Sequence, residues 1–272
     1  MRKTLTRLLI ILALAYIAFC TIAFTFPEYF YYNPSKQKPD ITHAQAYGYP
    51  AQEVYYQSAD GTELYGWMTK PNGINKIILF LHGNAMDISY FLDKIIPFQK
   101  AGYGTFLAEY RGFGGIRGTI REQNIVADSI AAVKYLNSIG YKNENIIVYG
   151  ISLGSHSAAK VVQGQKHTGK FDALILEVPF DSLTRTAMHH VPFYVPDFVV
   201  RDSYDNTDII KEIDTRLLIQ GGALDALVPI ERAQALFEHA VEPKTIKIYP
   251  HADHYNLLEF NSYRDIMTWL EN

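Results

Sequence analysis

Asn145-Ile-Ile-Val-Tyr-Gly-Ile-Ser-Leu-Gly-Ser-His-Ser-Ala-Ala159 is the stretch whose reading decides the fold. Its first part, Asn145–Tyr149, is a short apolar run of the kind that forms a strand buried on both faces. Gly150-Ile-Ser-Leu-Gly154 follows, and then a segment rich in small residues that reads as a helix near Ser155–Gln163. A serine flanked by two glycines between a strand and a helix sits on a sharp, strained turn, with its hydroxyl held above the sheet edge. The glycines remove Cβ atoms that so tight a turn would bring into collision. The pentapeptide alone would occur by chance in about one chain in ten of this size, so the flanking strand and helix carry the weight.

Working outward, similar apolar runs recur at Lys76–Leu81, Thr105–Ala108, Ala173–Leu176, Arg216–Gln220 and Thr245–Tyr249. Helical patterns lie between and after them, near Ile88–Lys100, Gln123–Ile139, Ile230–His239 and Asn256–Leu270. Strands alternating with helices imply βαβ crossovers and a mostly parallel, doubly wound α/β sheet. Val54–Gln57 and Leu64–Met68 flank Ala59-Asp60-Gly61, which predicts a hairpin with an Asp-Gly turn in front of the first crossover. One connection is unusually long. Between Asp181 and Ile213 no clean period appears, and the segment carries His189, His190, Pro192, Phe193, Tyr194, Pro196 and Phe198. A connection of that length in a compact domain reads as a lid over a site, here about 181–213.

A serine hydroxyl is a weak nucleophile until a base takes its proton. On this architecture the partners are expected later in the chain, acid before histidine. Asp225 follows the strand Arg216–Gln220, and Pro229 after it suits the start of a helix. His254 follows the strand Thr245–Tyr249. Ser152, Asp225 and His254 therefore all fall in loops at the carboxyl edge of the sheet, where open α/β sheets place their ligands. In this reading His254 is the general base and Asp225 orients it. Glu177, at the end of Ala173–Leu176, rivals Asp225. His251 and Asp253 are weaker alternatives, because the first ends a strand and the second adjoins His254 in sequence. The oxyanion of a tetrahedral intermediate would be held by the backbone N–H of Leu153, after the nucleophile, and of Asn84, in the loop His82-Gly-Asn-Ala85. His82 itself reads as a brace for that loop.

Together His82-Gly-Asn-Ala, Glu109-Tyr-Arg-Gly-Phe-Gly114, Gly150-Ile-Ser-Leu-Gly154, Val178-Pro-Phe-Asp-Ser182, Asp225 and His254 resemble the α/β-hydrolase superfamily, from about residue 27 onward. Within it the chain resembles the membrane-anchored, bud-emergence-type hydrolases, with serine aminopeptidases nearby. The resemblance implies that Ser152, Asp225 and His254 are catalytic and that no metal or cofactor is needed. Two positions depart from the family pattern, Glu109 for an aspartate and Asp253 for a glycine. Neither removes a catalytic group, although Asp253 adjoins His254. Arg111 reads as a structural ion-pairing residue.

The amino terminus is of another kind. No charge occurs from Leu8 to Phe26, and a helix of nineteen residues would be roughly 28 Å long, close to the hydrocarbon thickness of a bilayer. Arg2, Lys3 and Arg7 precede this stretch, and Tyr29-Phe-Tyr-Tyr32 follows it at the depth of an aromatic belt. The reading is a transmembrane anchor over 1–27 with the amino terminus cytoplasmic. A cleaved signal sequence, which would leave a secreted protein, is the alternative. Residues 28–50 then read as a linker and 51–272 as the hydrolase domain.

The overall balance limits the partners. A formal net charge of −3 gives nucleic acid no basic surface to hold. With 48% hydrophobic and 19% charged residues the chain is neither disordered nor fibrous. Its single cysteine, Cys20, excludes an internal disulfide and a cysteine-based zinc cluster. The expected activity is hydrolysis of carboxylic esters, thioesters or related acyl bonds. The substrates would be small-molecule or lipid-like, or an acylated protein. A peptidase of the same fold and a non-catalytic, membrane-anchored scaffold are the alternatives.

Overall fold

The computed structural model describes residues 2–26, 31–164, 169–191 and 200–272. Its centre is an eight-stranded sheet formed by β1 (Gln52–Gln57), β2 (Glu63–Thr69), β3 (Ile77–Leu81), β4 (Gly104–Ala108), β5 (Ile146–Ile151), β6 (Ala173–Glu177), β7 (Leu217–Gly222) and β8 (Lys244–Tyr249). The spatial order is β8-β7-β6-β5-β3-β4-β2-β1. The hairpin β1–β2 is antiparallel, β2 joins β4 antiparallel, and all other neighbours are parallel. The expected doubly wound sheet is therefore present, with the predicted hairpin at one edge.

Helices cover both faces. They are α3 (Leu92–Lys100), α4 (Glu122–Ser138), α5 (Leu153–Gly164), α7 (Ile230–His239) and α8 (Ser262–Glu271), with the shorter α2 (Ile41–Ala46) and α6 (Leu183–His189), while the amino-terminal α1 (Arg2–Thr25) is largely exposed and packs on neither face. Alternation along a strand sends successive side chains to opposite faces. On β3, Ile77, Leu79 and Leu81 join one core with residues of α4, α5 and α7. Ile78 and Phe80 join a second core with residues of α3 and α8. All five residues of β3 are buried, which explains an unbroken apolar run in place of an alternating one. At the other extreme β8 is an edge strand whose exposure alternates.

Three expectations need adjustment. The pattern Ile88–Lys100 is not one helix, because Ile88–Phe91 is a 3-10 turn capped by the Asp87 side chain and α3 begins after it. The pattern Asn256–Leu270 is likewise divided. Asn261, at φ 66°, lies in the left-handed region and separates the 3-10 turn Leu257–Phe260 from α8. The long connection after Asp181 contains the regular helix α6, while Pro192, Phe193, Tyr194, Pro196 and Phe198 lie outside the described residues. Tyr29 and Phe30 also lie outside them.

Residues 33–50, read as a linker, carry structure of their own. Asn33–Pro34 pairs in parallel with Ala85–Met86. Asp40 caps α2 by accepting from the Thr42 N–H, and Tyr49 is fully buried, its hydroxyl 2.7 Å from Thr105 Oγ1. Arg111 ties the hairpin turn to α4, donating to Asp60 and to Asp128, as an ion-pairing residue should.

Candidate active site

Ser152 stands between β5 and α5 with φ 52°, a left-handed conformation that a non-glycine residue seldom adopts. Its N–H donates to the Glu177 carbonyl, and its own carbonyl accepts from the Ser155 N–H, so both strand and helix hold the turn in place. Gly154 shows why the second position of the helix must be a glycine. A Cβ there would stand 2.1 Å from the Leu81 carbonyl oxygen and 2.4 Å from that of His82, both backbone atoms. The close approach brings α5 onto the end of β3 and leaves the serine facing outward.

The loops after β7 and β8 are joined to each other. The Ala223 N–H donates to the Tyr249 carbonyl and the Leu224 N–H to the Ala252 carbonyl. A Cβ on Gly222 would lie 2.4 Å from the Ala252 oxygen, so this crossing also requires glycine. The result brings together three residues from distant parts of the chain. His254 Nε2 lies 3.2 Å from Ser152 Oγ, and His254 Nδ1 lies 2.6 Å from Asp225 Oδ2. The other carboxylate oxygen of Asp225 accepts from the backbone N–H groups of Leu227 and Val228, which fixes its orientation. Asp225 and His254 are 7% and 9% exposed, so their contact is shielded from competing water.

The rival residues are engaged elsewhere. Glu177 is fully buried, paired with Lys94 and accepting a hydrogen bond from the Tyr149 hydroxyl. Asp253 accepts from the N–H groups of Tyr255 and Asn256 and so shapes its own loop. His251 is exposed at the end of β8. His82 is buried, with Nε2 2.7 Å from Glu109 Oε1 and Nδ1 2.9 Å from the Gly83 carbonyl. Glu109 Oε2 also accepts from the Ile88 N–H. This pair braces the loop 82–85, and it gives Glu109 a role at the position where the family pattern has aspartate.

That loop faces the serine. A Cβ on Gly83 would meet Ser152 Cβ at 3.5 Å. Leu153 opens α5, so its N–H has no acceptor within the helix. Asn84 and Leu153 both border the cavity in front of Ser152. Asn84 is anchored from behind, its carbonyl accepting from the Asn33 N–H and its side-chain amide donating to the Tyr31 carbonyl.

The cavity encloses about 400 Å³, within the range of roughly 300–1,000 Å³ found for ligand sites. Beyond Ser152 and His254, its walls include Phe180, Leu183, Val200, Leu227 and Val228. Phe19 and Ala23 of α1 complete it. Phe180 belongs to the Val178–Ser182 motif and Leu183 and Val200 to the expected lid, but no sequence pattern links them to Phe19, Ala23, Leu227 or Val228 as one wall. They are ordinary apolar residues scattered from one end of the chain to the other, with no spacing to connect them. The one available signal was that the uncharged stretch of α1 runs on to Phe26, directly before the folded part of the chain.

A family described as serine aminopeptidase, S33, matches residues 73–196. The α/β hydrolase domain-containing protein WAV2 of Arabidopsis thaliana is 31% identical over 206 residues, 70% of this chain and 66% of that protein. An uncharacterized Mycobacterium tuberculosis protein is 30% identical over 206 residues, covering 75% of this chain and 72% of its own. The chain belongs to the α/β-hydrolase family. The fold of this hydrolase also matches that of a Pyrococcus furiosus esterase, with a TM-score of 0.70 at 20% identity over 88% of this chain and 97% of that one. An uncharacterized membrane protein of Saccharomyces cerevisiae is 24% identical over 230 residues, 81% of this chain and 79% of that one. α1, the one described helix long and apolar enough to cross a membrane, is consistent with anchoring of this hydrolase in a bilayer.

Proposed function

We propose that this hydrolase is a serine enzyme that cleaves carboxylic esters, thioesters or related acyl bonds through an acyl-enzyme. The observation that carries the reading is the line of contacts from Ser152 Oγ to His254 to Asp225, at 3.2 and 2.6 Å, at the head of α5. In this mechanism His254 Nε2 takes the Ser152 proton as Oγ attacks the acyl carbonyl. Asp225, acting at Nδ1, selects the tautomer with a free Nε2 and stabilises the imidazolium that forms. The backbone N–H groups of Leu153 and Asn84 receive the oxyanion, aided by the positive end of the α5 dipole. His254 then protonates the leaving group and activates water to release the acid.

The lining favours an acyl group over a peptide. An aminopeptidase must receive an α-ammonium group, which calls for a carboxylate. The described residues bordering the cavity include neither a carboxylate nor a basic side chain apart from histidine. α1 is read as an uncleaved anchor, with the amino terminus cytoplasmic and the hydrolase domain on the opposite side of the membrane.

A fluorophosphonate probe tests the reading. Wild-type protein is expected to be labelled and Ser152→Ala to resist labelling. Absence of wild-type labelling, or equal labelling of the two, would overturn it. Faster turnover of aminoacyl amides than of p-nitrophenyl esters would transfer the reading to the peptidase.

A further inference from the structure

The amino-terminal helix, read above as a membrane anchor, also lines the cavity in front of Ser152. Phe19 and Ala23 are one helical turn apart, on a single face of α1, and both border the space in front of Ser152 and His254. Ala23 is 4% exposed and packs with Val200, and Phe19, Met188 and Val191 close around them. Cys20 packs against the same cluster and the Phe24 ring lies beneath Arg201, whereas the amino-terminal part of α1 is exposed. Leu8, Leu12 and Ile17 are each more than half exposed, and so long an apolar surface suits a hydrocarbon surrounding.

Depth along the helix follows from the rise per residue. Ala23 and Phe19 lie three and seven residues inside Phe26, the end of the uncharged stretch. At 1.5 Å per residue that is roughly 5 and 10 Å below the bilayer boundary, the depth at which interfacial apolar groups sit. The cavity therefore meets the helix where lipid carbonyls and upper acyl segments lie. The cavity wall at Leu227 and the loops that carry Asp225 and His254 agree with this placement. Leu227, beside Asp225, and Tyr255, beside His254, are 46% and 66% exposed, and Leu224 is also exposed. Such side chains belong at a lipid surface.

We propose that the substrate is a glycerolipid of the surrounding membrane, which enters sideways from the bilayer past Phe19 and Ala23 and lays an acyl chain in the cavity. The proposal rests on the serine-hydrolase reading of Ser152. In the first step Ser152 Oγ bonds to the acyl carbonyl carbon and the bond to the glycerol oxygen breaks. That oxygen takes the proton held by His254 and leaves as a hydroxyl. In the second step water gives its proton to His254 and its oxygen to the acyl carbon. Free fatty acid is released, and the proton returns to Ser152.

The test uses the full chain reconstituted in vesicles of dioleoylphosphatidylglycerol doped with dioleoylglycerol. Oleate release is measured beside hydrolysis of p-nitrophenyl acetate and labelling by a fluorophosphonate. Wild type is expected to release oleate. Ala23→Phe, which fills the helix-side wall, is expected to lower the ratio of oleate release to acetate hydrolysis about tenfold, with Ala23→Leu in between. The ratio cancels any fraction of variant that fails to fold. Three results would overturn the proposal. One is a labelled, acetate-cleaving wild type that releases no oleate, which leaves the hydrolase reading standing. Another is a ratio unchanged in both variants. The third is cleavage of an S-palmitoylated peptide with the vesicle lipids left intact, which would make the substrate an acylated protein. A wild type that is neither labelled nor active on acetate would remove the serine-hydrolase reading itself.

Discussion

Ser152 holds its backbone in a region that costs an L-residue about 1–2 kcal/mol. Alanine keeps that cost and glycine does not. Ser152→Gly is therefore expected to be more stable than Ser152→Ala by about 1 kcal/mol in urea unfolding, with both inactive. Equal stabilities would mean that the turn is not strained. In the proposed mechanism Asp225 acts through orientation, and an amide in its place still accepts from Leu227 and Val228 while presenting the wrong partner to His254 Nδ1. Asp225→Asn is expected to lower kcat for p-nitrophenyl acetate by on the order of 10⁴ and to leave the thermal midpoint nearly unchanged. A loss below tenfold would point to a different acid. At this scale the sequence carried the motif serine and its order relative to Asp225 and His254. It left Asp225 and Glu177 open, since both follow parallel strands. Only in three dimensions does Glu177 face Lys94 and Tyr149 while Asp225 faces the histidine.

Among the elements, α4 begins at Glu122, in the first helical turn, where a negative charge is favoured. Burial raises the pKa of Glu122. The adjacent His156 ring, 3.1 Å away, and the Tyr204 N–H outweigh burial and hold the carboxyl below its ordinary value of 4.5. A lowered pKa contributes stability above the unfolded value and loses it as pH falls through the folded one. Glu122→Gln is therefore expected to reduce the melting temperature at pH 7. The gap to wild type should close as pH falls below about 4.5. A gap independent of pH would show that the charge is not what stabilises this helix start. The elements differ in how far their sequence revealed them. β3 and β5 are buried on both sides and read as continuous apolar runs, and β8 at the edge alternates. The break at Asn261 was hidden because a single left-handed residue barely disturbs a helical period. α2 and α6 were hidden because six and seven residues are too few to show one.

For the molecule as a whole, α1 leaves most of its apolar surface exposed, and on the anchor reading a bilayer covers it. The full chain is expected to sediment with membranes, to resist extraction by alkaline carbonate and to be released by detergent. A tag at residue 1 should be protected from protease added on the far side of the membrane while the hydrolase domain is exposed there. Release by carbonate would remove the spanning reading, and the opposite protection pattern would reverse the orientation. The sheet order has a consequence of its own. His254 is 102 positions from Ser152, and β7 and β8 extend the sheet beyond β6. Contacts of such separation carry a large loop-closure cost and form late in folding. A refolding chain can therefore regain compactness and helix content well before it regains turnover. The appearance of activity would time the docking of the carboxyl-terminal strands, making the enzyme's own chemistry a clock for the last stage of its assembly.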